Sequence, residues 1–166
     1  MFRHILLPTD GSELSRDTAR RAVSFAQAMG ARITAIYVKG AISTDYEGDF
    51  IDPSALDRIS HAVNKKAKEY LGFVKKLCKE AEVECRTVAA SGAHPYEEII
   101  RVATEEDCDL VFMASHGRRG LQSLLLGSET QKVLTYSSVP VLIFRPSNPG
   151  KHRHSGKKKA SDHIEK

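Results

Sequence analysis

Leu110-Val111-Phe112-Met113-Ala114 is a run of five apolar residues with no polar residue at either alternate position. A strand with one wet face alternates, and a strand covered on both faces does not. The run therefore predicts a central strand of a parallel sheet with helices on both sides. Upstream, Pro95 opens a helix carrying Ile99, Ile100 and Ala103. Before it, Glu84 to Ala90 reads as a strand and Ser91-Gly92-Ala93-His94 as the joining loop, with His94 a turn residue. Further back, Leu56, Ile59, Val63, Ala67, Tyr70, Val74, Leu77 and Ala81 step by three or four residues, which predicts one long helix from Pro53.

Arg32 to Val38 has the β-branched and aromatic content of a strand. Lys39 to Asp52, polar and without a steady period, is expected to be a long loop of the kind that carries function, a candidate lid. The chain opens with an apolar strand, Phe2 to Leu7, which Pro8 stops before a tight loop at Asp10-Gly11-Ser12. A helix follows, capped by Ser12 or Ser15, in which Ala19, Ala22, Val23, Ala26 and Met29 recur until Gly30 ends it. Downstream of the central strand, Gly127-Ser128 opens a last helix through Val133 and Leu134. Val139 to Phe144 is the fifth strand, and Pro146, Pro149 and Gly150 end the domain.

Strands alternating with helices imply an α/β fold: a five-stranded parallel sheet with helices on both faces, a Rossmann-like open sandwich joined by right-handed crossovers. Ligands in such sheets bind beyond the carboxyl ends of the strands, where the winding reverses. The loops richest in special residues are Pro8 to Ser12 and Ser115 to Ser128. If both serve one site, the first and fourth strands are neighbours and the order is 3-2-1-4-5.

With 166 residues, 41% of them hydrophobic and 28% charged, the chain suits one domain with a single sizeable core. We place that domain at residues 1–146 and a basic tail, expected to be disordered, at residues 147–166. The tail carries Lys151, Arg153, Lys157, Lys158, Lys159 and Lys166 against Asp162 and Glu165, which is the whole net charge of +4. That leaves 19 of the 25 basic and 19 of the 21 acidic residues in the body, which is formally neutral. A specific nucleic-acid face is not expected, and the tail offers only screened attraction to anionic polymers. The lone Lys151-His152-Arg153-His154 segment reads as solvated tail or as a weak transition-metal site. No run approaches 18 apolar residues, and Pro8 and Asp10 interrupt the N-terminal apolar segment, so neither a membrane span nor a signal peptide is expected and the location implied is cytoplasmic. Cys78, Cys85 and Cys108 form no C-x-x-C pair, which indicates neither a disulfide framework nor a four-cysteine zinc site.

The chain lacks a G-x-x-x-x-G-K-[ST] loop, a G-x-G-x-x-G after the first strand, an H-E-x-x-H and a G-x-S-x-G. Hydride transfer, P-loop hydrolysis and serine esterase chemistry lose support accordingly. What stands out is Ala114-Ser115-His116-Gly117, nine residues, then Gly127-Ser128. Glycines let a backbone approach a phosphate, and free N–H groups of Gly127, Ser128 and Glu129 at a helix start favour an anion, with the serine hydroxyl as one more donor. Glycine then serine at a helix start is also ordinary capping, so both readings stand at this point.

Together with Ile5-Leu6-Leu7-Pro8-Thr9-Asp10-Gly11-Ser12 at the start and Ser138-Val139-Pro140-Val141-Leu142-Ile143 at the end, this segment resembles the universal stress protein family over Met1 to Arg145. In that family's ATP-binding branch the motif is G-x2-G-x9-G-[ST]. The resemblance implies phosphate contacts at Gly117, Gly127 and Ser128, with His116, Arg118 and Glu129 around them as further candidate nucleotide-binding residues. It implies a nucleotide lying against Pro8, Thr9 and Asp10, a base read by the backbone at Val38, and Met113 at the mouth of the fourth strand. Ala114 stands where the family's first glycine falls, and its methyl would crowd a ribose.

Asp10 reads as a helix cap or Asx turn, or as a contact to polyphosphate through Mg2+ or Mn2+. Arg118 and Arg119 neutralise a γ-phosphate or face water. Ser115 and His116 look like a dyad, but adjacent residues at a strand end are expected to point apart. The leading expectation is an ATP-binding stress-response switch with little or no turnover, cytoplasmic, acting on a client protein the sequence does not identify. Its homodimer would be joined through the last strand, Val139 to Phe144. The alternatives are a nucleotide-independent dimeric interaction module of the same fold and, third, a slow ATPase.

Overall fold

The computed structural model describes residues 1–40, 52–117 and 126–145. Residues 41–51 of the loop expected over Lys39 to Asp52, Arg118 and Arg119, and the tail lie outside the described residues.

The strands are β1 (His4–Pro8), β2 (Arg32–Gly40), β3 (Cys85–Gly92), β4 (Leu110–Ala114) and β5 (Val141–Phe144). The helices are α1 (Glu13–Met29), α2 (Pro53–Glu80), α3 (Pro95–Glu105) and α4 (Ser128–Tyr136). All strand pairs are parallel and the order is β3-β2-β1-β4-β5, as expected. Successive side chains in β1 leave by opposite faces. Ile5 and Leu7 enter a cluster with Ala22, Val23, Leu71 and Val74 of α1 and α2, whereas Leu6 enters one with Ile99, Val102, Ala103 and Val133 of α3 and α4. Both faces of the central strands are therefore dry, which is why β4 reads as an unbroken apolar run.

The helices are started and stopped by local chemistry. Ser12 caps α1, its hydroxyl accepting from the Ser15 N–H. Gly30 ends it at φ 64°. The same reversal closes α2 and α3 without glycine, through left-handed Glu82 (φ 55°) and Asp107 (φ 52°). In each case the next N–H donates five residues back: Ala31 to Ala26, Val83 to Cys78 and Cys108 to Ala103, all at 2.9 Å. These three Schellman-type stops aim the chain straight back into β2, β3 and β4. Tertiary pairing thus holds two ordinary residues in a conformation that costs roughly 1–2 kcal/mol.

At the amino-terminal end of the sheet, His4 is buried and its Nε2–H donates to Thr34 Oγ1 at 2.8 Å. Its Nδ1 accepts from Arg32 Nη2 at 3.2 Å, since a guanidinium can only donate, so the ring is the neutral Nε2–H tautomer. Burial and then Arg32 hold its pKa below the ordinary 6.5, against the opposing pull of Glu106 and Asp109. The folded chain resists a proton that the unfolded chain accepts below pH 6.5, so stability is lost as pH falls from there through the lower folded value. Thermal melts between neutral pH and about pH 5 should show a falling midpoint that is flatter in His4→Gln. Superimposable profiles would contradict this.

Candidate functional site

The loops after β1 and β4 meet. Thr9 N–H donates to Ile36 O at 2.9 Å, which holds the first loop against β2, and buried Thr9 Oγ1 lies 2.8 Å from Ser15 Oγ at the start of α1. Asp10 forms the expected Asx turn, Oδ1 accepting from Ser12 N–H at 3.0 Å and from Ser12 Oγ at 2.6 Å. Its other oxygen, Oδ2, would stand 2.7 Å from a Cβ built on Gly117, so only a bare backbone fits there without moving the carboxylate.

On the other side, Ser115 N–H donates to Phe144 O at 2.9 Å and Ser115 O accepts from Gly127 N–H at 2.8 Å. The excursion from 115 to 127 therefore begins and ends at one place. Thr130 Oγ1 adds a bond to Ala114 O at 3.2 Å. A Cβ on Gly127 would meet His116 Cα at 3.1 Å and His116 Cβ at 3.3 Å, which explains the glycine by close backbone approach.

Between these loops lies a cleft of about 540 Å3 at the carboxyl ends of β1, β2 and β4. Pro8, Thr9, Asp10, Val38, Met113, Ala114, His116, Gly117, Gly127, Ser128 and Glu129 all line it. Arg118 lies outside the described residues. Sequence reasoning missed the far wall, Ala93 after β3 and Pro95 at the start of α3, and Tyr37. Their only signal was position, since β2 and β3 run on to pair Lys39 with Ser91 and Gly40 with Gly92, past the expected ends.

Two expectations are corrected. The Gly127 N–H is not free for an anion, because Ser115 O takes it; Ser128 and Glu129 supply the open end of α4, which among the described residues no side chain caps. Ser115 and His116 do not point apart, their Oγ and Nδ1 being 3.2 Å from one another. The pleat stops at Ala114, so strand alternation no longer governs them. Ser115 is nonetheless only 1% exposed, which keeps its hydroxyl from substrate.

The Glu129 carboxylate is occupied, accepting from Tyr96 N–H at 2.9 Å and pairing with Lys132 at 3.2 Å. It thereby ties the start of α4 to the start of α3. Among the described residues lining the cleft there is no Lys or Arg. Its charge is acidic, one end is apolar (Ile36, Val38, Ile99, Met113), and the other offers backbone donors and the Ser128 hydroxyl. A flat apolar ring joined to an anion matches this division. Among the described residues no group of three His, Cys, Asp or Glu is placed to hold a metal ion.

A sequence model of the universal stress protein family matches residues 1–145. The chain belongs to that family. Among universal stress proteins, MJ0531 of Methanocaldococcus jannaschii is 31% identical over 148 residues, covering 87% of this chain and 83% of its own. The solved structure of MJ0577 superposes with a TM-score of 0.76 at 26% identity, covering 89% of this chain and 99% of the other. A universal stress protein solved in complex with cAMP gives a TM-score of 0.65 at 24% identity, covering 87% of this chain and 97% of the other. Family members from Archaeoglobus fulgidus and Arabidopsis thaliana were solved with dAMP and AMP. The three nucleotide complexes, all under 25% identical to this chain, share its fold. Among the described residues no helix is long and apolar enough to cross a membrane.

Proposed function

We propose that this universal stress protein binds ATP in the cleft and acts as a nucleotide-dependent switch in a cytoplasmic stress response, with little or no turnover. The observation that carries the reading is the convergence of the β1 and β4 loops on one cleft of about 540 Å3, within the roughly 300–1,000 Å3 typical of small-ligand sites. The base lies in the apolar end, against Val38 and Met113. The phosphates lie at Gly117 and at the start of α4, where the Ser128 and Glu129 N–H groups and the helix dipole favour an anion. The cAMP, dAMP and AMP complexes of proteins with this fold support a nucleotide as the ligand class.

Mg2+ or Mn2+ bound with the nucleotide supplies positive charge between the phosphates and Asp10, which would otherwise repel them across a cleft with no described Lys or Arg lining it. Calorimetry should therefore show ATP affinity falling in the presence of chelator, and Asp10→Asn should lose most of that dependence. Equal affinity with and without the divalent ion would refute Asp10's role. Turnover needs a positioned base, and the Nδ1 of His116, the imidazole that lines the cleft, is engaged at 3.2 Å by the buried Ser115 hydroxyl.

β5 is an edge strand whose Val141–Phe144 side chains are all half-buried, a surface suited to pairing with a second copy. Light scattering should give a homodimer of the 18.3 kDa chain at micromolar concentration, and a monomer would rule that pairing out. Two observations favour a second reading, a nucleotide-independent dimeric module that engages a client protein. Ala114 replaces the motif's first glycine, and the Gly127 N–H serves the loop itself. Absence of any ATP heat in the wild-type protein would favour it.

A further inference from the structure

α3 is capped from another helix. Its own N-cap residue, His94, makes no side-chain bond to it, and Pro95 has no N–H, so Tyr96 N–H is the first donor in need of a partner. Glu129 supplies one, its Oε2 accepting from Tyr96 N–H at 2.9 Å. Glu129 Oε1 accepts from Lys132 Nζ at 3.2 Å, and that ammonium also lies 4.9 Å from the centre of the Tyr96 ring, which packs on Tyr136 at 5.8 Å. Both carboxylate oxygens are thereby engaged, and the group is fixed between the starts of α3 and α4. Pro95, Ser128 and Glu129 all line the cleft.

This fixed charge stands where the proposed phosphates lie. The backbone donors of α4 attract an anion there, and the carboxylate opposes it. The donors act on the nearest phosphate, whereas a carboxylate repels every negative charge within about a Debye length, so its share grows with each phosphate added. A mobile acid would swing away from an incoming anion. Glu129 would have to give up the cap of α3 and its pairing with Lys132 to do so. We propose that Glu129 is a specificity-determining residue, ranking nucleotides by net negative charge so that the cleft prefers few phosphates or phosphates already neutralised. The inference rests on the reading of the cleft as a nucleotide site. Lys132 is the counterweight, offsetting part of the Glu129 charge from outside the residues that line the cleft. A carboxylate that served only as the cap of α3 would be indifferent to the number of phosphates.

The test is equilibrium dialysis of the full-length chain with AMP and with ATP in excess chelator, and with ATP in excess magnesium. Free ATP carries about two more negative charges than AMP. Glu129→Gln keeps an acceptor for Tyr96 N–H and removes the charge. It should tighten free ATP at least about fivefold and change AMP by less than about twofold, and excess magnesium or ~1 M salt should erase most of the gain. Lys132→Met should act the other way, weakening free ATP more than AMP. Equal changes for AMP and ATP would overturn the proposal, as would a gain for ATP that magnesium and salt leave intact. Wild type that binds nucleotides in a ratio neither variant moves would sink this inference alone, whereas wild type that binds no nucleotide would sink the reading of the cleft and this inference with it. The Lys132→Met ratios decide the question if Glu129→Gln fails to fold.

Discussion

Gly11→Ala should destabilise the protein by about 2–4 kcal/mol, the largest loss expected of a methyl added at any described glycine. Gly11 sits at φ 74°, where a side chain is strained before it meets anything. A Cβ there would then lie 2.3 Å from Tyr70 Cδ1, 2.4 Å from Cε1 and 2.6 Å from Cγ. The ring has little room to retreat, being 8% exposed and set edge-on to Tyr37 with centroids 5.4 Å apart. Because Tyr37 lines the cleft, a displaced Tyr70 should also weaken ligand binding. Urea unfolding measures the first effect, and a double-mutant cycle with Tyr70→Ala identifies its source: removing the ring should make the glycine change markedly less costly. A loss below about 0.5 kcal/mol in Gly11→Ala would mean that the loop carries no such constraint.

Gly127→Val should lower ATP affinity by at least ~100-fold, about 2.7 kcal/mol, while leaving the far-ultraviolet spectrum unchanged. The backbone at Gly127 (φ −70°, ψ 155°) tolerates valine by itself. Its surroundings do not, since the Cβ already falls 3.1 Å from His116 Cα and the γ-carbons extend further. The start of α4 must then leave Ser115 O, and the donors at Ser128 and Glu129 leave with it. Gly127→Ala, which asks His116 to move by only a few tenths of an ångström, should lose roughly tenfold. Unchanged affinity in a folded Gly127→Val protein would remove the phosphate role from this loop.

These glycines also show where sequence reading succeeds and where it stops. The glycine-serine pair and the Pro8-to-Ser12 loop were legible because glycine, proline and aspartate at strand ends have few other uses. β4 was legible to the residue, because a strand dry on both faces admits nothing polar. β5 was expected from Val139 but begins at Val141: Ser137 Oγ binds Val139 in a turn, and Pro140 has no N–H, although its carbonyl accepts from Val111. The stops at Glu82 and Asp107 were invisible, since a left-handed position held by tertiary pairing leaves no glycine behind. The wall at Ala93 and Pro95 was hidden for a similar reason: only the register of β2 against β3 brings it to the cleft. The long apolar stripe of α2 overstated its burial, for Ala67, Tyr70 and Val74 are buried while Ile59 is 45% exposed. A period reports a face and not what covers it.

Backbone amide shifts of the full-length chain, followed by NMR as ATP and magnesium are added, test the central claim most directly because they report both whether and where the nucleotide binds. Saturable shifts should concentrate at Thr9, Asp10, Val38, Gly117, Ser128 and Glu129, at the carboxyl ends of β1, β2 and β4. The opposite end of the sheet, around Arg3, Arg32 and Glu84, should stay still. No shift at millimolar ATP, or shifts confined to that opposite end, would contradict the assignment of this cleft as the nucleotide site.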